Sequence, residues 1–235
     1  MSKHYAYNEE FKMIDSEGVE YTLKVEQDDM AHDPRGWDNV CTMVCFHSRY
    51  NLGDNHDYDD SDDFFAHILC NICGMNEEDI DELSTREKYK LAKESDKIYF
   101  KDLNLYDHSG LTISTSSGYP YNDRWDAGCI GWIYVSKERI FKECMGITEE
   151  NWQERADKML DGEVETYDFY LRGDVYGYTL TKKVIEQETC PHCGEVIQEY
   201  EEEEEVDSCW GFYGDCLEEN GILDNLGDLK FAEEV

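Results

Sequence analysis

The sequence predicts an α+β fold, a mainly antiparallel sheet with several packed helices and a small zinc knuckle as a candidate addition. Three observations carry this expectation. A hairpin signal opens the chain, an amphipathic helical repeat covers residues 148–172, and strands and helices alternate too irregularly for a doubly wound sheet.

The elements follow in order. Residues 7–26 read as a hairpin, because Phe11 to Ile14 and Val19 to Val25 flank the turn residues Asp15, Ser16, Glu17 and Gly18. Residues 28–39 form a loop with Pro34 and Gly36, and the apolar run 40–46 suits a buried strand. An acidic loop covers 54–63. Residues 64–73 read as a helix with Gly74 as its C-terminal cap, and a polar helical stretch follows over 77–94. Ile98, Tyr99 and Phe100 suggest a strand, and residues 103–115 suggest two more around His108, Ser109 and Gly110. Residues 116–128 form a loop holding Pro120, and 129–135 are a buried strand. Ser136 opens a helix to Cys144, and Thr148 offers an N-cap for a longer one. In that helix Trp152, Ala156, Met159, Leu160, Val164, Tyr167 and Leu171 keep a three-to-four spacing until Gly173. Residues 174–184 and 206–213 read as strands, and the last residues as a short helix. The expected organisation is a main domain over 1–186, a cysteine knuckle and acidic insertion over 187–205, and a C-terminal strand and helix, 206–235, returning to the main domain.

Charge narrows the function classes. With 56 acidic and 21 basic residues the net charge is −35, so the chain repels polyanions. Direct nucleic-acid binding needs Lys and Arg to displace condensed counterions and is not expected, nor is binding to an anionic membrane. The partner this charge suits is a protein with a basic surface. Aromatic residues make up 13%, which argues against wholesale disorder. No apolar run approaches the ~20 residues of a membrane span, and residues 1–11 lack a secretory core, so the expected compartment is the cytosol. There the ten cysteines read as free thiols or metal ligands.

Three constellations could carry chemistry. Cys190 and Cys193, spaced C-x-x-C and followed by Gly194, form a knuckle that aims two thiolates at one point. A structural zinc there needs four ligands, for which Cys209 and Cys216 are the downstream candidates. The alternative is a hairpin turn with two free thiols. A second C-x-x-C, Cys70 and Cys73, falls on the expected helix. Next, His47, Arg49, Tyr50, Asp54 and His56 outline a pocket. Within it His47, Asp54 and His56 are candidates for a divalent metal in a hydrolase, although the loop lacks EF-hand phasing. Last, Asp57, Asp59, Asp60, Asp62 and Asp63, with Glu201, Glu202, Glu203, Glu204 and Glu205, are candidates to stand in for phosphates. The chain carries no P-loop, dinucleotide fingerprint or G-x-S-x-G elbow, so no catalytic residue is assigned.

Three segments carry a resemblance. They are residues 37–54 (WDNVCTMVCFHSRYNLGD), 165–178 (ETYDFYLRGDVYGY) and 207–214 (DSCWGFYG). In these the chain resembles a family of bacteriophage and prophage proteins. The resemblance implies a protein made in the cytosol of an infected bacterium, and by analogy an inhibitor of DNA-directed defence of the restriction or CRISPR type. It carries no catalytic residue over. A metal-dependent hydrolase or small-molecule-binding protein, and a structural or assembly protein, are the alternatives.

Overall fold

The computed structural model describes residues 4–6, 9–108, 110–116 and 127–232. These form an α+β architecture with two antiparallel sheets. Contacts divide the chain into two compact units, 1–32 with 173–235, and 33–172. This differs from the expected main domain over 1–186. The first hairpin finds its partner strand only after the second unit is complete, a long-range pairing that no local pattern announces.

In the first unit, β1 (Glu10–Ile14) and β2 (Glu20–Gln27) pair around a turn held by Asp15, whose Oδ1 accepts from Glu17 N at 2.9 Å and Val19 N at 2.8 Å. Two long strands, β7 (Val175–Thr189) and β8 (Val196–Tyr213), and the short β9 (Lys230–Phe231) complete a sheet of order β8-β7-β2-β1-β9. Met13, Leu23, Val25, Tyr178 and Leu180 bury one face of it against Leu217, Ile222 and Leu226. The short helix expected near the C-terminus is present at Ile222–Asn225.

The long hairpin departs most from expectation. β2 covers β7 only as far as Lys182, while β7 and β8 stay paired out to Thr189 and Val196. Beyond Lys182 the sheet therefore narrows to a two-stranded arm. Residues 187–203 lie on that arm and Glu204 and Glu205 at its base, so the stretch 187–205 is continuous with the sheet.

In the second unit, β3 (Thr42–Cys45), β6 (Ala127–Ser136), β4 (Ile98–Asp107) and β5 (Leu111–Ser114) form a sheet in that order. Helices cover both faces. Met43, Leu103, Leu105, Ile133 and Val135 meet Trp152, Ala156, Leu160 and Val164 of the long helix Trp152–Arg172. Val44, Ile98 and Phe100, joined by Trp132 and Tyr134, meet Phe64, Phe65, Ile68 and Leu69. Strand residues alternate faces with period two, so a sheet covered twice reads as an unbroken apolar run, as residues 40–46 do.

The helix predicted over 64–73 is Ser61–His67, continued by a π turn, Ile68–Ile72, and Gly74 lies at φ +73° beyond it. The stretch 77–94 is two helices, Glu77–Asp81 and Thr85–Glu94. The break falls at Ser84, whose N and Oγ donate to the Glu87 carboxylate at 2.9 and 2.6 Å. This is a capping box that starts a new helix. Most of the loop expected over 116–128 lies outside the described residues. No helix among the described residues is long and apolar enough to cross a membrane.

Candidate functional site

The glutamate run lies on β8 at the base of the two-stranded arm, with Glu201 to Glu203 opposite β7 positions beyond β2 and Glu204 and Glu205 opposite Lys182 and Thr181, which β2 still covers. Glu201 to Glu205 are all exposed and occupy consecutive ladder positions opposite Ile185 to Thr181. Antiparallel strand rises about 3.4 Å per residue, so the run carries one carboxylate per ~3.4 Å. One strand of duplex DNA carries one phosphate per about 3.4 Å of axis. Alternation sends Glu201, Glu203 and Glu205 to one face and Glu202 and Glu204 to the other.

Glutamate is a poor strand former, so the run owes its conformation to the ladder and to cross-strand partners. Lys183 Nζ meets Glu201 Oε2 at 3.0 Å and Lys182 Nζ meets Glu204 Oε2 at 3.0 Å. Gln187 Nε2 donates to Glu199 Oε1 at 2.6 Å, and Tyr200 OH to Glu186 Oε2 at 3.2 Å. Exposed pairs like these contribute at most about 1 kcal/mol each, and they leave the excess negative charge facing water.

The other acidic cluster has a different use. Asp60 caps the helix Ser61–His67, accepting from Asp62 N at 2.8 Å and Asp63 N at 3.0 Å. The Asp62 carboxylate accepts from Lys88 Nζ and from Thr85 Oγ1, each at 2.7 Å, and ties this helix to Thr85–Glu94. These bonds, Lys88's first, hold its pKa below the usual carboxylate value. Lys88 is buried, only 4% exposed. The phosphate-like role read into Asp60 and Asp62 is thus corrected to capping and ion pairing. Asp63 lends Oδ2 to Asp59 N at 3.3 Å, while Asp57 and Asp59 are exposed. Asp60→Ala is expected to lower stability by about 1 kcal/mol in urea denaturation, with Asp57→Asn unchanged, because only the former removes a cap.

The expected pocket does not converge. His47 stacks on Tyr50 with ring centroids 5.1 Å apart, and its Nδ1 accepts from Tyr50 N at 3.2 Å. Arg49 pairs with Asp107 at 2.9 Å. His56 places Nε2 3.0 Å from the Cys45 carbonyl, which fixes the proton on that nitrogen and leaves Nδ1 buried without a hydrogen-bond partner. Asp54 turns inward to Arg35, which it grips through two oxygens at 2.8 and 2.9 Å. Arg35 also donates to Glu163 Oε2 at 2.8 Å and to the Cys41 carbonyl at 3.0 Å. His47, Asp54 and His56 therefore serve three separate partners and form no ligand set.

Beside them lies an open polar cleft of about 520 Å³, lined by Arg35, Trp37, Asn39, Asn51, Asp54 and Arg139 among others. Both of its guanidinium groups are engaged by protein oxygens. Arg139 donates to the Asn39 carbonyl at 2.8 Å and Thr42 Oγ1 at 3.2 Å. Arg35 and Glu163 escaped sequence reasoning because their partners lie 19 and 128 residues away in the chain.

The four proposed zinc ligands do not meet. Cys190 and Cys193 sit at the arm's tip, where Gly194 N donates to the Cys190 carbonyl at 2.8 Å. Cys209 lies opposite Tyr178, eleven ladder positions below Thr189, on the order of 35 Å at strand rise. Cys216 is buried, its thiol 3.2 Å from Glu218 Oε2. Among the described residues no group of three or more His, Cys, Asp and Glu side chains is placed to hold a metal. The Cys190 thiol is held below its ordinary pKa by the backbone N–H of His192, then by that of Cys193 and by the Cys193 side chain.

No family model, curated protein or solved structure matches this chain.

Proposed function

We propose that the acidic arm takes the place of a nucleic-acid strand on the basic surface of a host nucleic-acid-binding protein, and so inhibits it. The observation that carries this reading is the exposed run Glu201 to Glu205 on an extended strand, whose linear charge density, counted over both faces, is close to that of one DNA strand. A flexible glutamate tract would lose conformational entropy on docking. A strand hydrogen-bonded along its length has already lost it. The net charge of −35 favours encounter with a basic groove and disfavours nucleic acid itself. The resemblance to phage proteins supplies the setting, in which the target is a restriction or CRISPR-type protein of the infected bacterium. The hydrolase reading has no comparable support, because His47, Asp54 and His56 are each committed elsewhere.

The test is capture from nuclease-treated bacterial lysate on the tagged full chain, eluted with rising salt and then with duplex DNA. A nucleic-acid-binding protein is expected to elute with DNA. Replacing Glu201 to Glu205 by glutamine should weaken its binding at least tenfold, and Asp57→Asn/Asp59→Asn should not. A partner indifferent to duplex DNA, or bound equally by the glutamine variant, would overturn the reading.

A further inference from the structure

We propose that the tip of the arm is half of a zinc site, completed by the same tip of a second copy of this chain. The tip is a built turn. Cys190 N donates to the Glu195 carbonyl at 2.7 Å, Gly194 N donates to the Cys190 carbonyl at 2.8 Å, and Gly194 takes φ +74°, a conformation that suits glycine.

Zinc in a structural site takes four ligands in a tetrahedron. The knuckle supplies two. Cys209 is on the order of 35 Å away along the same hairpin, Glu195 Oε2 comes only to 3.8 Å from the Cys193 sulfur, and no group of three metal-binding side chains gathers here among the described residues. One chain therefore cannot close the site, whereas two tips brought together supply four thiolates. The chemistry balances without a redox step. Four thiols release four protons and the zinc ion accepts four sulfur lone pairs.

The arm lessens one obstacle to pairing, the charge of −35 on each copy, by holding the rest of the sheet back from the tip, while Glu186, Glu188, Glu195 and Glu199 travel with it. Seven β7 positions, Lys183 to Thr189, lie beyond the edge of β2. They span roughly 23 Å, more than two Debye lengths of about 8 Å at physiological salt. The tips can meet while each copy's sheet stays screened from the other. Residues 191–200 are exposed, so no part of the chain covers the site. This inference stands independently of the proposed target of the glutamate run.

The test uses the reduced, metal-stripped full chain titrated with zinc sulfate alone and followed by light scattering. The mass is expected to double from 27.6 kDa at one zinc per two chains and to return on adding EDTA. Cobalt in place of zinc should show a thiolate charge-transfer band and intense tetrahedral visible bands. Cys190→Ser/Cys193→Ser should stay monomeric with an unchanged urea midpoint, and His192→Ala should still dimerise. One zinc per chain at constant mass, zinc-dependent dimers that survive the double serine change, or no zinc uptake would each overturn the proposal.

Discussion

Replacing Arg35 by leucine is expected to destabilise the unit of residues 33–172 by about 3–5 kcal/mol, the cost of breaking a buried ion pair from one side. The Arg35 side chain is 3% exposed and lies between Asp54 and Glu163, themselves 24% and 17% exposed. Burial disfavours its charge, but the hydrogen bonds to Asp54 and then Glu163 outweigh burial, and its pKa lies above the ordinary arginine value. Leucine would leave two carboxylates facing each other in a poorly solvated place. The same carboxylates hold the backbone, Asp54 Oδ2 accepting from Met43 N at 2.8 Å and Glu163 Oε1 from Cys41 N at 3.0 Å. The network thus links the turn at Pro34–Gly36, the start of β3 and the long helix. Arg35→Lys keeps the charge but lacks the planar fork, so its loss should be smaller. Native-state hydrogen exchange is the appropriate readout, because a chain of two units need not unfold in one step. A loss below about 1 kcal/mol in amides of β3 would show that packing, not the ion network, sets the stability there.

The contrast between this network and the arm shows what was legible in the sequence. The hairpin at 10–27, the strands near 42–45 and 127–136, and the long helix announced themselves by alternation, apolar runs and three-to-four spacing. Those patterns survive because one face, or both, is buried along the whole element. Of the arm, only the inner strand residues to Val184 and the turn at Cys190–Gly194 left a signal. Residues 196–205 bury neither face, so no periodicity marks them, and only their hydrogen-bonded partner strand reveals them as β structure. The stretch 77–94 failed for a smaller reason. A capping box restarts the helix at Ser84 within a segment polar throughout.

Several residues of the shared-looking segments prove to be architectural. Tyr178 OH donates to Asp207 Oδ2 at 2.6 Å, joining residues of two segments across β7 and β8. Gly53 N donates to Tyr167 OH at 3.1 Å, and Ile113 N to Asp168 Oδ1 at 2.8 Å. Asp54, read from sequence as a pocket residue, anchors Arg35. A long aromatic and glycine-rich motif therefore need not mark a site here. Its residues here make hydrogen bonds that tie strand, loop and helix together. The acidic arm lies outside all three segments.

Gly131 is the sharpest case of that close fit. It lies on β6 opposite Cys45 of β3 and opposite Leu103 of β4, where the β4 register shifts between Leu103 and Asn104. A bulge bends and twists its strand, and here it accompanies a very close approach of β3 to β6. A Cβ on Gly131 would lie inside the radius of the Val44 carbonyl oxygen and 2.9 Å from Cys45 Cα. Both are backbone atoms of β3, the edge strand paired with β6, so no rotamer change can relieve the clash. Gly131→Ala is expected to cost more than about 3 kcal/mol, beyond the usual range for overpacking, or to leave the unit unfolded. Gly177→Ala is the control. Its Cβ would fall inside the Trp210 indole, but Trp210 is 48% exposed and can swing away from the sheet. That variant should lose only about 1 kcal/mol, since a surface ring covering a glycine contributes cross-strand packing of this order. Urea unfolding of both variants, with hydrogen exchange assigned to each unit, separates the cases. Equal losses would mean that β3 and β6 can part as freely as a surface indole moves, and that the tight crossing at Gly131 is not a constraint on the fold.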